Sequence, residues 1–305
     1  MARRHNQGRN VNGILLLDKP LGMTSNAALQ VVKRLFQAGK AGHTGNLDPL
    51  ATGLLPLCLG EATKISGFLL DSDKRYIGTV KLGVTTRTAD AEGDVLETRP
   101  VPELDESQVK AVLDRFLGTI QQVPPMHSAV KVNGTPLYKL ARQGLEIERK
   151  ARTVKIYSLT LLRLEGDELD IELRCSKGTY VRTLAEEIGE ALGCGAHLSA
   201  LRRTGSGPFD LSQAISLDEL EQTAKQGYEA LDSRLLPIEQ ALTDWPVISL
   251  TKNTAYYVQQ GQPVQVPRAP TSGLVRLQHE DGHFLGVGHI LDDGRVAPKR
   301  LIRIG

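Results

Sequence analysis

Cysteine is scarce in this chain. Its three cysteines, Cys58, Cys175 and Cys194, are far apart, odd in number and free of any CxxC pair across 305 residues. That argues against a disulfide framework and a thiolate metal site, and predicts reduced, packed side chains. Long apolar runs are also lacking. None approaches the roughly 18 residues that a membrane span needs, so no membrane partner is expected. Glycine loops of the GxxxxGK(S/T) and GxGxxG kinds are absent, as is a GxSxG nucleophile elbow, and no cofactor is expected. Internal repeats and low-complexity tracts are missing too. The first ten residues carry Arg3, Arg4 and Arg9 with no hydrophobic stretch behind them. They read as a basic flexible tail of a cytoplasmic protein, not as a signal peptide.

What is present is the composition of an ordinary globular protein, 40% apolar and 24% charged. A chain of this length buries roughly 75% of its unfolded surface, enough for one large domain plus a small one. The formal charge of +2 says little about partners, but its distribution says more. Residues 131–155 hold seven basic side chains (Lys131, Lys139, Arg142, Arg149, Lys150, Arg152, Lys155) against two acidic ones, Glu146 and Glu148. Such an excess suits phosphate binding, and charge alone leaves a merely solvated face equally open.

Residues 11–17 are an apolar run followed by the turn chemistry of Asp18-Lys19-Pro20-Leu21-Gly22, which predicts a strand. Ser25 is expected to cap a helix with Ala28, Leu29, Val32, Leu35 and Phe36 on one face. A short helix is expected over residues 62–70, and from Arg75 the period changes to two, with Tyr76, Gly78, Val80 and Leu82 on the better-buried face of a strand. The acidic, turn-rich residues 88–105 read as a surface excursion. Asp105 with Gln108 is a capping box for a helix that stops at Gly118. An Asn133-Gly134 turn and a short helix over residues 137–142 interrupt the basic segment, which reads as a protruding element. Residues 154–164 and 169–175 form a hairpin around Glu165-Gly166-Asp167. A glycine-bearing loop then leads to a helix with Thr183 and Glu186 as its capping box and its end at Gly193. Residues 198–209 read as a strand, residues 217–242 as mixed helix and linker, and Pro246 as a boundary before a short helix and a small β-rich domain.

The stretch Gly42-His43-Thr44-Gly45-Asn46-Leu47-Asp48-Pro49 concentrates polar groups and glycine. It reads as a shaped loop running into a short helix, with Asp48 at the junction. Asp is a favoured N-cap and Pro a favoured first helical residue, so capping is a sufficient explanation by pattern. His43 has no second histidine or cysteine at ligand spacing, and no metal is expected. Tyr76 is explained by core packing. Arg182 at a helix start is badly placed for the macrodipole, which prefers a carboxylate there, and so calls for a partner elsewhere.

The loop His43-Thr44-Gly45-Asn46-Leu47-Asp48-Pro49-Leu50-Ala51-Thr52-Gly53 closely resembles the catalytic motif of the TruB family of tRNA pseudouridine-55 synthases. Asp18-Lys19-Pro20-Leu21-Gly22-Met23-Thr24-Ser25, Asp73-Lys74-Arg75-Tyr76, Met126-His127-Ser128-Ala129 and Lys177-Gly178-Thr179-Tyr180-Val181-Arg182-Thr183 match in the same order. Asn46 stands where smaller residues are common in the family.

The resemblance implies an α+β pseudouridine synthase fold with a mixed, largely antiparallel central sheet. It implies a catalytic domain over residues 11–245, an RNA-gripping thumb over residues 127–152 and a PUA-like domain over residues 246–305. The activity implied is isomerisation of one T-loop uridine of tRNA, with the base flipped out, by a bacterial-type enzyme acting alone as a monomer. A tRNA-folding activity could accompany it. Asp48 would attack the ribose or remove a neighbouring proton, and Arg182 would pair with it. Tyr76 would stack on the base and act near C5. His43 would fill the space left by the flipped base, Tyr180 would line the uracil pocket and Lys19 would support the site. Lys131, Arg142 and Arg149 would contact the RNA. Two other readings use the same surface: a non-catalytic RNA-binding or RNA-folding factor, and an N-glycosidase releasing free base. The second normally needs a paired carboxylate, which the central loop lacks.

Overall fold

The computed structural model describes residues 8–303, so the first seven positions of the expected N-terminal tail, with Arg3 and Arg4, lie outside the described residues. In chain order, β1 (Gly13–Lys19) leads to α1 (Ser25–Leu35), β2 (Ala41–His43) and β3 (Ala51–Leu59). A 3-10 turn precedes α2 (Ser66–Leu70), β4 (Lys74–Leu82) and the small ribbon of β5 (Val84–Thr86) and β6 (Val95–Thr98). Then come α3 (Glu106–Asp114), β7 (Gly118–Gln122), the ribbon of β8 (Lys131–Val132) and β9 (Thr135–Pro136), and α4 (Leu137–Ala141). The long hairpin of β10 (Arg152–Glu165) and β11 (Glu168–Cys175) feeds α5 (Val181–Ala191), β12 (Ala196–Ser206), β13 (Phe209–Asp210) and β14 (Ile215–Ser216). Helices α6 (Leu217–Ala224) and α7 (Tyr228–Asp232) follow. The C-terminal part holds β15 (Val247–Leu250), α8 (Lys252–Gln259), β16 (Leu274–His279), β17 (Phe284–Ile290) and β18 (Val296–Leu301).

Ten strands form one central sheet in the order β14-β1-β3-β12-β4-β11-β10-β7, with β2 on β3 and β13 on β12. Only β14/β1 and β12/β3 pair in parallel, so the sheet is mixed and largely antiparallel, as expected. Alternation explains which strands lie where. In β4 the even positions from Lys74 to Leu82 are buried and Ile77 is exposed, so this strand has one covered face. β1 and β3 are buried on both faces, which their near-continuous apolar runs require. One face meets α1 and α6 through Leu15, Leu17, Leu55 and Leu57, and α5 joins the same buried cluster by packing on β12. The other meets α2, Ile238 and Leu242, together with Val287 and Ile302 of the C-terminal part. Each such fully buried aliphatic side chain contributes roughly 1.5–3 kcal/mol.

The Asp105 and Gln108 capping box is present at α3, and the chain turns at Gly166 as the hairpin pattern requires. Asn133 and Gly134 both have positive φ, 50° and 82°, the signature of a two-residue hairpin turn. The three cysteines are free and buried.

Three local expectations are corrected. The apolar residues after Asp48 belong to no short helix; they are the nine-residue central strand β3, and burial on both faces erases the alternation that would mark it as a strand. The N-cap of α1 is Thr24, whose side chain accepts from Ala27 N, so Ser25 is freed for another task. Helix α5 begins at Val181 with Tyr180 as its N-cap residue, so Thr183 lies inside the first turn and caps nothing.

Candidate active site

Asp48 sits in a tight turn that enters β3. Ala51 N donates to Asp48 O at 3.0 Å and Gly22 N donates to Pro49 O at 2.8 Å, which ties the turn to the loop after β1. Asp at the first and Pro at the second position is what such a turn favours. The residue before Asp48 is pinned from α1. Ser25 Oγ accepts from Leu47 N at 2.7 Å and donates to Leu47 O at 3.1 Å. The carboxylate is thereby held by backbone on both sides while its own oxygens face a cleft.

Arg182, in the first turn of α5, meets it there. Its Nε lies 3.0 Å from Asp48 Oδ2. The guanidinium is buried at 5% exposure, and its other nitrogens donate to Thr88 O at 2.9 Å and His127 O at 2.8 Å. Asp90, also buried, approaches Nη1 at 3.4 Å. A buried cation at a helix N-terminus opposes the macrodipole and is desolvated, and two carboxylates and two carbonyls compensate it. The partner that Arg182 called for is therefore a set of four acceptors.

The cleft has a volume of about 600 Å³, and Asp48, Tyr76, Asp90, Tyr138, Tyr180 and Arg182 are among the residues lining it. Tyr76 is almost fully buried on β4. Burial pushes its phenol pKa up, and the neighbouring Arg203 offsets part of that rise. Tyr180 is fixed by Gln122 at the end of β7: its N–H donates to Gln122 Oε1 at 3.0 Å, and Gln122 Nε2 donates to its carbonyl at 3.4 Å. Lys19 is fully buried beside this assembly and donates to Pro20 O at 2.8 Å and Met23 O at 2.6 Å. Burial pulls its pKa down to about 8 against the opposing pull of Asp48.

The other expected residues lie further out. His43 is on β2 opposite Leu57, outside the cleft lining; burial and Arg203 lower its pKa, and its Nδ1 is buried without a hydrogen bond. Arg142 lines the cleft from the end of α4 and lies over the Tyr138 ring at 5.6 Å. Lys131 is exposed on the β8/β9 ribbon. Arg149 is occupied locally, donating to Pro124 O at 3.3 Å and facing Glu146 at 3.4 Å.

Several residues of the site had no signal in the sequence. Asp90 and Thr88 fall in the stretch read as a surface excursion, yet Asp90 is 3% exposed and accepts from Thr88 Oγ1 and from Glu92 N at 3.1 Å. Glu92 lines the cleft, and burial followed by the charges of Asp90 and Asp48 raises its pKa. Arg203 on β12 is buried under the loop that carries Asp48. A buried aspartate and a surface one look alike in a turn-rich stretch, and only long-range packing separates them.

Three family models match successive segments of the chain. Residues 33–181 match the TruB family pseudouridylate synthase N-terminal domain, residues 182–243 the tRNA pseudouridylate synthase B C-terminal domain, and residues 246–302 the family described as pseudouridine synthase II TruB, C-terminal. The chain belongs to the TruB family. A tRNA pseudouridine synthase B of Nitrosococcus oceani is 59% identical to this TruB chain over 300 residues, 98% of this chain and 97% of that protein. One of Ectopseudomonas mendocina is 56% identical over 306 residues, 100% of each. Among solved structures, a chain of a Cbf5-Nop10-Gar1 complex superposes with a TM-score of 0.74 at 27% identity, over 96% of this chain and 84% of that one. A chain of an H/ACA RNP bound to a substrate RNA containing 2'-deoxyuridine gives 0.75 at 25% identity, over 96% and 85%. The α+β pseudouridine synthase fold expected from the motifs is thereby borne out, as is TruB membership, and with it an isomerase.

Proposed function

We propose that this enzyme converts one uridine in the T loop of tRNA to pseudouridine, with Asp48 as the catalytic carboxylate. The observation that carries the reading is the Asp48–Arg182 pair at 3.0 Å, at the wall of a cleft that Tyr76 and Tyr180 also line. The reaction breaks the bond from C1′ to N1, turns the uracil and forms the bond from C1′ to C5. The C5 proton leaves and N1 ends protonated, so the product is an isomer. Asp48 serves this by attacking C1′ or by removing the neighbouring C2′ proton. Arg182 keeps it oriented, and Tyr76 stacks on the base and faces C5. Tyr180 borders the uracil, Lys19 supports the site, and His43 fills the space that the flipped base leaves in the RNA.

The uridine reaches Asp48 only when flipped from its stack. Flipping costs a few kcal/mol, and base stacking on an aromatic ring returns roughly 1–3 kcal/mol. Residues 127–152, with Arg142 at the cleft and Lys131 at the outer ribbon, act as a thumb on the RNA backbone. Residues 11–245 form the catalytic domain and residues 246–305 a PUA-like RNA-binding domain. The enzyme works in the cytoplasm as a monomer without a guide complex. No helix among the described residues is long and apolar enough to cross a membrane.

Incubation of the purified protein with unmodified tRNA, followed by digestion to nucleosides, tests the activity. Pseudouridine at a single T-loop position is the expected product. Free uracil would establish a glycosidase instead, and unchanged uridine would leave an RNA-binding factor.

A further inference from the structure

Among the described residues Arg203 is the largest fully buried side chain, at 1% exposure, and no step described so far uses it. β12 carries it into the middle of the sheet between two strands that matter. Across one ladder it stands opposite Gly53 of β3, and across the other opposite Tyr76 of β4. Residues directly opposite in an antiparallel pair project to the same face with Cβ atoms about 4.5–5.5 Å apart. Arg203 and Tyr76 are therefore side-by-side neighbours beneath the cleft.

The guanidinium is tied to backbone at two points and also interacts with the Tyr76 side chain. Nε donates to Leu54 O at 2.7 Å and Nη1 donates to Asn46 O at 3.3 Å, two residues before Asp48. Nη2 is buried and makes no close hydrogen bond to the backbone of the described residues. Gly53 has φ +98°, and a Cβ there would lie 2.4 Å from Arg203 O, so the backbones of β3 and β12 approach closely at this point; Gly45, in the Asp48 loop, lies against Nη1. A buried guanidinium is a costly way to fill a core that an apolar side chain would fill more cheaply. One planar fork does reach what an apolar chain cannot: the Asp48 loop and β3 at once, with Tyr76 alongside.

We propose that Arg203 is a positioning residue that fixes the loop of Asp48 relative to Tyr76 and keeps a positive charge beneath the Tyr76 hydroxyl. It touches no substrate and acts through these two residues. The inference rests on the roles proposed above for Asp48 and Tyr76, and wild-type protein separates the two failures: if it forms no pseudouridine, the activity fails before Arg203 is examined.

The test compares R203M and R203K with wild type in three measurements: single-turnover pseudouridine formation, tRNA Kd and thermal midpoint. R203M is expected to slow the chemical step by about a hundredfold with tRNA Kd within threefold. R203K keeps the charge but loses the fork, and is expected to recover at least tenfold of that rate while remaining at least threefold slower than wild type. If R203M gives no cooperative melt, R203K alone carries the test. A folded R203K at the wild-type rate, or a loss that appears equally in Kd and rate, would overturn the proposal.

Discussion

Replacing Arg182 with lysine keeps one positive charge beside Asp48 and removes the planar fork. In the native site one guanidinium serves Asp48 at 3.0 Å, Thr88 O at 2.9 Å and His127 O at 2.8 Å, with Asp90 at 3.4 Å. These acceptors approach it from different nitrogens, and a lysine ammonium, a single point on a flexible stem, reaches only part of the set. Each hydrogen bond to a charged group is worth about 1.5–3 kcal/mol, so losing one or two costs on the order of 2–4 kcal/mol. Expressed in the barrier, that is a rate loss of roughly 30- to 1000-fold. The proposed phosphate contacts are made by other residues, Lys131, Arg142 and Arg149, so tRNA affinity is expected to change little. Single-turnover formation of pseudouridine and filter binding of the same tRNA separate these effects. A folded R182K that keeps its rate within threefold, or that loses affinity and rate together, would refute the claim that the fork orients Asp48.

Ser25→Ala removes both bonds to Leu47 and leaves a buried N–H unsatisfied. It is expected to cost about 1–3 kcal/mol of stability in a denaturant melt and to slow the chemical step more than it weakens binding. Lys19 carries a proton in the folded protein only below about pH 8. Raising the pH through that value strips a positive charge from beside Asp48, and the single-turnover rate is expected to fall on that limb. Stability responds in the opposite direction, because the unfolded chain binds this proton more tightly; between about 8 and 10.5 the lysine's contribution grows more favourable as pH rises. A rate independent of pH across that range would contradict the placement of the charge. Replacing Lys131, Arg142 and Arg149 together is expected to weaken tRNA binding and flatten its dependence on salt, since each phosphate contact releases counterions. Arg149 is engaged with Pro124 and Glu146, so most of that effect is expected from the other two.

Elements fixed by neighbouring residues were legible in the sequence. The capping box of α3, the hairpin around Gly166 and the alternation of β4 all follow from contacts within a few positions. Asp48-Pro49 shows where local pattern fails. The same two residues suit a helix start and the first half of a turn, and the choice falls to the turn because β3 pairs with β1 and β12 on either side. Ser25 was read as a cap because its neighbour Thr24 offers the same chemistry one position earlier. Asp90 and Arg203 were not legible at all. Each is a charged residue in a stretch of ordinary pattern, and each becomes special only through partners about 90 and 150 positions away, Arg182 and Leu54. Motif resemblance identified Asp48, Tyr76, Tyr180 and Arg182 together, and these four line one cleft.

Asp48→Asn tests the central claim most directly, because the amide keeps the size and the turn while removing the reactive carboxylate. The variant and wild type are compared on unmodified tRNA by nucleoside digestion and by binding at equal concentrations. The account predicts normal folding, tRNA affinity within a few-fold of wild type and no pseudouridine. Pseudouridine formed by Asp48→Asn at a rate near that of wild type would contradict it.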